Sequence, residues 1–196
     1  MKKVFTRLPS SSAIPLAVRR AQDMFVLMFL LRGLPFVDLA YLRKSDLRDN
    51  VITYRWRKTG RPLSVTLTPE ALELLKKYMN RDSHSPYLFS LLKSGEGTKE
   101  AYREYQLALR SFNQQLTLLG EVLGLNDKLS SYTARHTWAT TAYYCEIHPG
   151  IISEAMGHSS IKVTETYLKP FRNKKIDEAN NQIIDFVKHS IAGVVA

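Results

Sequence analysis

Ser131-Tyr-Thr-Ala-Arg135-His136-Thr-Trp138 and the later run Met156-Gly-His158-Ser-Ser-Ile-Lys-Val-Thr-Glu-Thr-Tyr167 decide how this chain reads. They set an arginine, a histidine and a tyrosine at intervals of 158 − 135 = 23 and 167 − 158 = 9 residues. A guanidinium fork contacts two phosphate oxygens at once. An imidazole can donate to another. A free phenol ionises only near pH ~10 and is a weak nucleophile, but cations placed around it favour the phenolate.

Working outward, Ser130 or Ser131 caps a helix that carries Arg135 and ends near Tyr144. Pro149 opens a short helix that stops at Gly157. His158 then sits on a loop, and Ser159-Ser160 caps a helix expected to carry Tyr167 and to end before Pro170. A last helix is expected from about Lys175 to His189. Upstream, a helix from Leu16 to Arg32 is stopped by Gly33, and a second follows Pro35 with Phe36, Leu39, Ala40 and Leu42 inward. Val51–Arg57 and Leu63–Leu67 read as strands around the turn Lys58-Thr-Gly-Arg61. Thr68-Pro69 opens another helix, 81–97 reads as loop, and a long amphipathic helix spans about 98 to 123. The fold class is mainly α with a small antiparallel β-hairpin or sheet, that is, α+β.

The chain has 196 residues, enough for one sizeable domain or two small ones. Twenty-eight Lys and Arg against 18 Asp and Glu leave 28 − 18 = +10, which makes nucleic acid a serious candidate partner. The single cysteine, Cys145, cannot form an intramolecular disulfide, and no Cys/His cluster has zinc spacing. This fits a reducing cytoplasm. Phe25–Leu31 is apolar but too short for a membrane span, and no signal-peptide pattern is present.

The Arg135, His158 and Tyr167 elements and the Lys58 turn resemble the tyrosine recombinase, or phage integrase, family from about Ala21 to Lys169. The resemblance implies a recombinase catalytic-domain fold. It also implies a site-specific DNA strand transferase that cuts and rejoins duplex DNA through a covalent 3′-phosphotyrosine. The phosphodiester energy is retained in that link, so the reaction needs no ATP, metal or other cofactor. Tyr167 is then the nucleophile, Arg135 and His158 hold the scissile phosphate, and Lys58 is the general acid towards the leaving 5′-oxygen.

Two positions depart from the family pattern. Tyr132 stands where the family has a histidine, three residues before Arg135; it can hydrogen-bond a phosphate but is a poor base near pH ~7. The family's first arginine falls in a Gly-Leu-Arg-x-x-Glu-Leu element; here Gly33-Leu34 and Asp38-Leu39 match, and Pro35 takes the arginine's place. Arg32, three residues earlier, is expected to supply that guanidinium. The displacement resembles integrases from mobile elements of Bacteroides-type bacteria. Asp38 and Asp46 are assigned structural roles, Asp38 orienting an arginine and Asp46 shaping a turn.

Duplex DNA is held mostly through its phosphates. Arg55, Arg57 and Arg61 around Lys58 are the favoured contacts, followed by Arg43, Lys44 and Arg48; Lys169, Arg172, Lys174 and Lys175 form a third cluster. Residues 1–16 are expected to be a tail or linker, 17–190 the catalytic domain and 191–196 a C-terminal tail. The family's N-terminal core-binding domain is expected to be absent. Family members pass their C-terminal helix to a neighbour, so a homo-oligomer, a tetramer on DNA, is implied. The apolar stripe Ile176, Ala179, Ile183, Ile184, Phe186 and Val187 either docks on such a partner or folds back. The competing readings are a DNA-binding module without cleavage activity and a DNA-relaxing enzyme like type IB topoisomerases.

Overall fold

A computed structural model describes residues 2–6, 8, 14–168, 170–171 and 173–192, without the side chains of 2, 174 and 188–192. Lys169, Arg172 and the side chain of Lys174 therefore lie outside the described residues.

The centre of the molecule is α1, Leu16–Leu30. Its Val18, Ala21, Met24, Phe25, Leu27 and Met28 are all buried, wider than one apolar stripe. Neighbours pack on several sides: α3 (Pro69–Tyr78), α4 (Lys99–Val122) and α5 (Ser131–Tyr144). The helix ends two residues before the expected Arg32. Arg32 (φ 59°) and Gly33 (φ 70°) adopt left-handed backbone, and Leu34 N–H closes the end by donating to the Met28 carbonyl at 2.9 Å.

After Pro35, α2 (Phe36–Tyr41) buries Phe36, Leu39 and Ala40, and Phe36 stacks on Phe112 of α4 at 4.7 Å between ring centroids. A three-stranded antiparallel sheet follows: β1 (Leu47–Arg48), β2 (Val51–Arg55) and β3 (Pro62–Thr66). Register pairs Ile52 with Val65, both turned to the core, and Tyr54 with Leu63. The hairpin was expected; the two-residue β1 is too short to leave an alternating pattern. β2 also stops at Arg55, because Trp56 N–H pairs with the Arg61 carbonyl to start the turn.

Thr68 accepts from Ala71 N–H at 3.3 Å with Pro69 in the first turn, capping α3 as its sequence requires. Thr98 caps α4 in the same way. Segment 81–97 is irregular but far from loose. Tyr87, Leu88, Phe89 and Leu92 are buried, and bridges join Arg43 to Tyr87 and Met79 to Phe89.

Two expectations need correction. Lys2–Phe5, expected within a tail, is a 3-10 turn packed on α1. Val4 is fully buried, and Gln22 donates to the Val4 and Thr6 carbonyls at 2.8 and 2.9 Å. Tyr167 lies beyond its helix: α6 is Pro149–Ala155, α7 is only Ile161–Glu165, and Tyr167 sits in the turn that follows. Its N–H donates to the Thr164 carbonyl at 2.9 Å.

The last helix, α8, is Asn173–Ala192. Ile176 and Ala179 line an open cavity of about 450 Å³ with Tyr143, Ile147 and Phe171, and Ile176, Ile183, Ile184 and Val187 are all exposed. Among the described residues, no helix is long and apolar enough to cross a membrane.

Candidate active site

Arg135 projects from the first turns of α5, where Ser130 N–H donates to Thr133 Oγ1 at 3.0 Å and so fixes the helix start. The arginine is only 2% exposed. One terminal nitrogen donates to the Gly33 carbonyl at 3.0 Å, the other to the Met156 carbonyl at 2.7 Å. It thereby joins the α1–α2 corner to the loop before His158. Its Nε is buried without a partner among the described residues, and its guanidinium lies 4.9 Å from the Trp56 ring centroid.

The approach demands glycine at two points. A Cβ on Gly33 would stand 2.9 Å from Arg135 Cα, and a Cβ on Gly157 would stand 2.9 Å from Leu63 and 3.2 Å from Trp56. Both glycines also have positive φ. The hairpin is thus pressed directly onto the His158 loop.

His158 is fully buried. Its N–H donates to the Ser153 carbonyl at 2.9 Å, and its own carbonyl accepts from Arg61. Nδ1 lies 2.8 Å from Thr164 Oγ1, whereas Nε2 has no protein partner among the described residues. Burial, then the charges of Arg135 and Lys58, push the imidazole down from 6.5 to about 4, so it is neutral at pH ~7.

Tyr167 stacks on His158 (5.1 Å, 26°) and packs against His136 at 4.5 Å. Its carbonyl accepts from Thr140 Oγ1 at 3.0 Å, and its hydroxyl meets that of Tyr132. Burial first, then the Tyr167 contact, pushes the Tyr132 phenol up to about 12. Tyr132 is therefore a hydrogen-bonding group and not a base near neutrality. An open cavity of about 740 Å³, lined by Tyr132, His136, Thr137, Thr140 and Tyr167, adjoins this cluster.

The remaining candidates are placed as follows. Lys58 stands in the hairpin turn, near enough for its charge to act on His158. Arg32 lies two residues past α1, and its charge acts on Tyr54, as do those of Asp38 and Arg135. Burial first and the Asp38 charge second raise that phenol, against the pull of the two arginines. Asp38 is buried and accepts from Arg57 N–H at 2.9 Å, leaving Oδ2 without a partner among the described residues. Desolvation raises it from 3.8 to about 6, opposed by that hydrogen bond and by Arg135 and Arg57. Asp46 accepts from Arg43 N–H at 2.8 Å and shapes its turn.

Of the expected DNA contacts, Arg55 donates to the Gly60 carbonyl at 3.1 Å and Lys44 to the Asp82 carbonyl. Arg43 and Arg57 share Glu96, the former at 2.6 Å, and the Arg57 guanidinium stacks 3.9 Å over Tyr41. Arg61 turns inward to His158, and Lys175 pairs with Glu146. Sequence reading missed Trp56, His136, Thr140 and Thr164. His136 directly follows Arg135 and Thr164 lies three residues before Tyr167, a signal that could have found both; nothing local marked Trp56.

The phage integrase family model matches residues 12–174. Tyrosine recombinase XerA of Pyrococcus furiosus is 28% identical over 149 residues, 74% of this chain and 49% of that protein. Tyrosine recombinase XerC of Haemophilus ducreyi is 28% identical over 134 residues, 66% of this chain and 42% of that one. The crystal structure of XerA recombinase shares the fold, with TM-score 0.58 at 20% identity over 89% of this chain and 66% of that one. So does the Tn1549 transposon integrase in complex with a circular intermediate DNA, with TM-score 0.60 at 16% identity over 90% and 66%. The chain spans about half the length of the curated relatives it matches. With the matched residues running from before α1 to the start of α8, the chain belongs to the phage integrase family.

Proposed function

We propose that this chain is the catalytic domain, residues 17–190, of a site-specific recombinase that cuts and rejoins duplex DNA through Tyr167. The observation that carries this reading is that Tyr167 stacks on His158, that Arg135 holds the Met156 carbonyl two residues before it, and that Lys58 lies in electrostatic reach, with an open cavity beside Tyr167. Phosphoryl transfer needs charge stabilisation and alignment more than covalent assistance. Arg135 and the neutral His158 donate to the non-bridging oxygens, and Arg32 supplies the guanidinium that Pro35 cannot. Tyr167 Oη, its proton released to water in the open cavity, attacks phosphorus; the P–O5′ bond breaks, and Lys58 gives its proton to the departing 5′-oxygen. The 3′-phosphotyrosine left behind is opened by another 5′-hydroxyl, which restores Tyr167.

Double-stranded DNA is the partner, met by Arg43, Lys44, Arg55 and Arg57 on the hairpin side. Exposed Ile183, Ile184 and Val187 on α8 support assembly of several copies, a tetramer, on that DNA. A cytoplasmic location fits a DNA partner and a chain with one cysteine.

The test is a nicked duplex carrying the mobile element's end, incubated with the protein and with Tyr167→Phe and resolved on a denaturing gel. A protease-sensitive adduct formed only with Tyr167 is expected. Salt-sensitive binding without an adduct would favour the non-cleaving module. Relaxation of plasmid without site dependence would favour a topoisomerase-like enzyme.

A further inference from the structure

We infer that Thr164 is a positioning residue: its hydroxyl donates to His158 Nδ1 and thereby holds the ring as the Nε2–H tautomer, aimed at the phosphate as a neutral donor. The inference rests on the proposed contact of His158 with the scissile phosphate.

His158 and Thr164 are both fully buried, and Nδ1 lies 2.8 Å from Oγ1. Two proton placements fit that distance, and what each leaves at Nε2 separates them. If Nδ1–H donated to Thr164, the threonine O–H would be a buried donor without an acceptor, because Oγ1 has no other partner among the described residues. Nε2 would then be a buried lone pair facing nothing. If Thr164 O–H donates to Nδ1, the hydroxyl's hydrogen is paired and the buried donor left over is Nε2–H, which a phosphate oxygen can accept. Unpaired buried polar groups carry their full desolvation cost, so the arrangement whose leftover donor a phosphate can pair prevails. The nitrogen that bears the proton is set by the hydrogen bond at the other.

The chemistry agrees. A phosphate oxygen accepts hydrogen bonds, so an Nε2 lone pair would repel it and an Nε2–H would bind it. The ring has little freedom to do otherwise. Its backbone is held at N–H by Ser153 and at the carbonyl by Arg61, and Tyr167 stacks on its face at 5.1 Å. Thr164 sits one turn before Tyr167 and accepts that residue's N–H on its carbonyl. One threonine thus orders both the donor and the segment bearing the nucleophile.

The experiment uses the chain labelled with ¹⁵N-histidine. The resonance of His158 among the five histidines is assigned by its loss in His158→Gln. At pH ~7 the wild type should show a protonated Nε2 and an unprotonated, hydrogen-bonded Nδ1. Thr164→Val, nearly isosteric, should lose the hydrogen-bonded Nδ1 signature, and Thr164→Ser should retain it. Single-turnover cleavage of the nicked duplex should fall about tenfold or more in Thr164→Val, short of the ~10²–10³ that loss of an oxyanion donor costs, and recover in Thr164→Ser. A proton on Nδ1 in the wild type overturns the inference. So does an unchanged ring signal, or an unchanged cleavage rate, in Thr164→Val. Failure of the wild type to form an adduct would instead sink the proposed function, and the ring signal would still decide the tautomer.

Discussion

Arg61 donates to the main-chain carbonyl of His158 across 97 residues of sequence, so the turn bearing Lys58 and the loop bearing His158 are tied together. Arg61→Ala should cost about 1–2 kcal/mol, at the low end of the ~1.5–3 kcal/mol of a hydrogen bond from a charged group because the arginine is exposed to solvent. The melting temperature should drop by roughly 2–4 °C per kcal/mol for a chain of this size. Cleavage should fall more than DNA affinity. An arginine that merely touched a phosphate would behave differently: affinity and the salt slope would drop, the slope by ~1, with the melting temperature unchanged.

Three glycines with positive φ should rank by what surrounds them. Gly33→Ala drives a Cβ into Arg135 backbone at 2.9 Å and should cost about 2–4 kcal/mol, with loss of cleavage as Arg135 shifts. Gly157→Ala meets the more compliant Leu63 and Trp56 side chains and should cost about 1–3 kcal/mol. Gly60→Ala meets nothing within 4 Å and should cost about 1–2 kcal/mol from backbone conformation alone. Urea denaturation of the three variants checks the order.

Two buried groups titrate against each other. His158 is held near 4 against an ordinary 6.5, so between these values the unfolded chain binds more protons and stability falls as pH drops. Asp38 is held near 6 against 3.8, so there the folded chain binds more protons and stability falls as pH rises. Between pH 4 and 6 the two slopes oppose. Relative to wild type, His158→Gln should lose stability as pH rises through that window, and Asp38→Asn should gain it. Chemical denaturation at stepped pH reads both; flat difference curves would show that neither group is desolvated as described.

Glu96 occupies two arginines that face the same side as the hairpin. Its carboxylate pairs with Arg43 and Arg57, and these two hydrogen bonds hold it below the usual carboxylate range. A DNA phosphate would compete for the same guanidinium groups. Glu96→Gln should therefore tighten duplex binding roughly threefold to tenfold at low salt and steepen the salt dependence by about one charge. Unchanged affinity in a filter-binding titration would mean that Arg43 and Arg57 do not meet DNA.

The sequence alone determined the helices, the hairpin and the intervals separating Arg135, His158 and Tyr167, because these are local properties. Thr68 and Thr98 cap the helices they precede, Gly33 ends the first corner, and Pro149 opens α6. Signals of that kind act over one or two turns and are written in neighbouring residues. Only the tertiary structure decided that Val4 is core, that Tyr167 stands past its helix, and that Arg61 reaches the His158 carbonyl. Only it placed Trp56 beneath Arg135 and Thr164 against His158, and left Asp38 buried with one oxygen unpaired. Burial and long-range hydrogen bonds depend on which surfaces meet after the chain closes, and no local pattern of residues encodes that meeting.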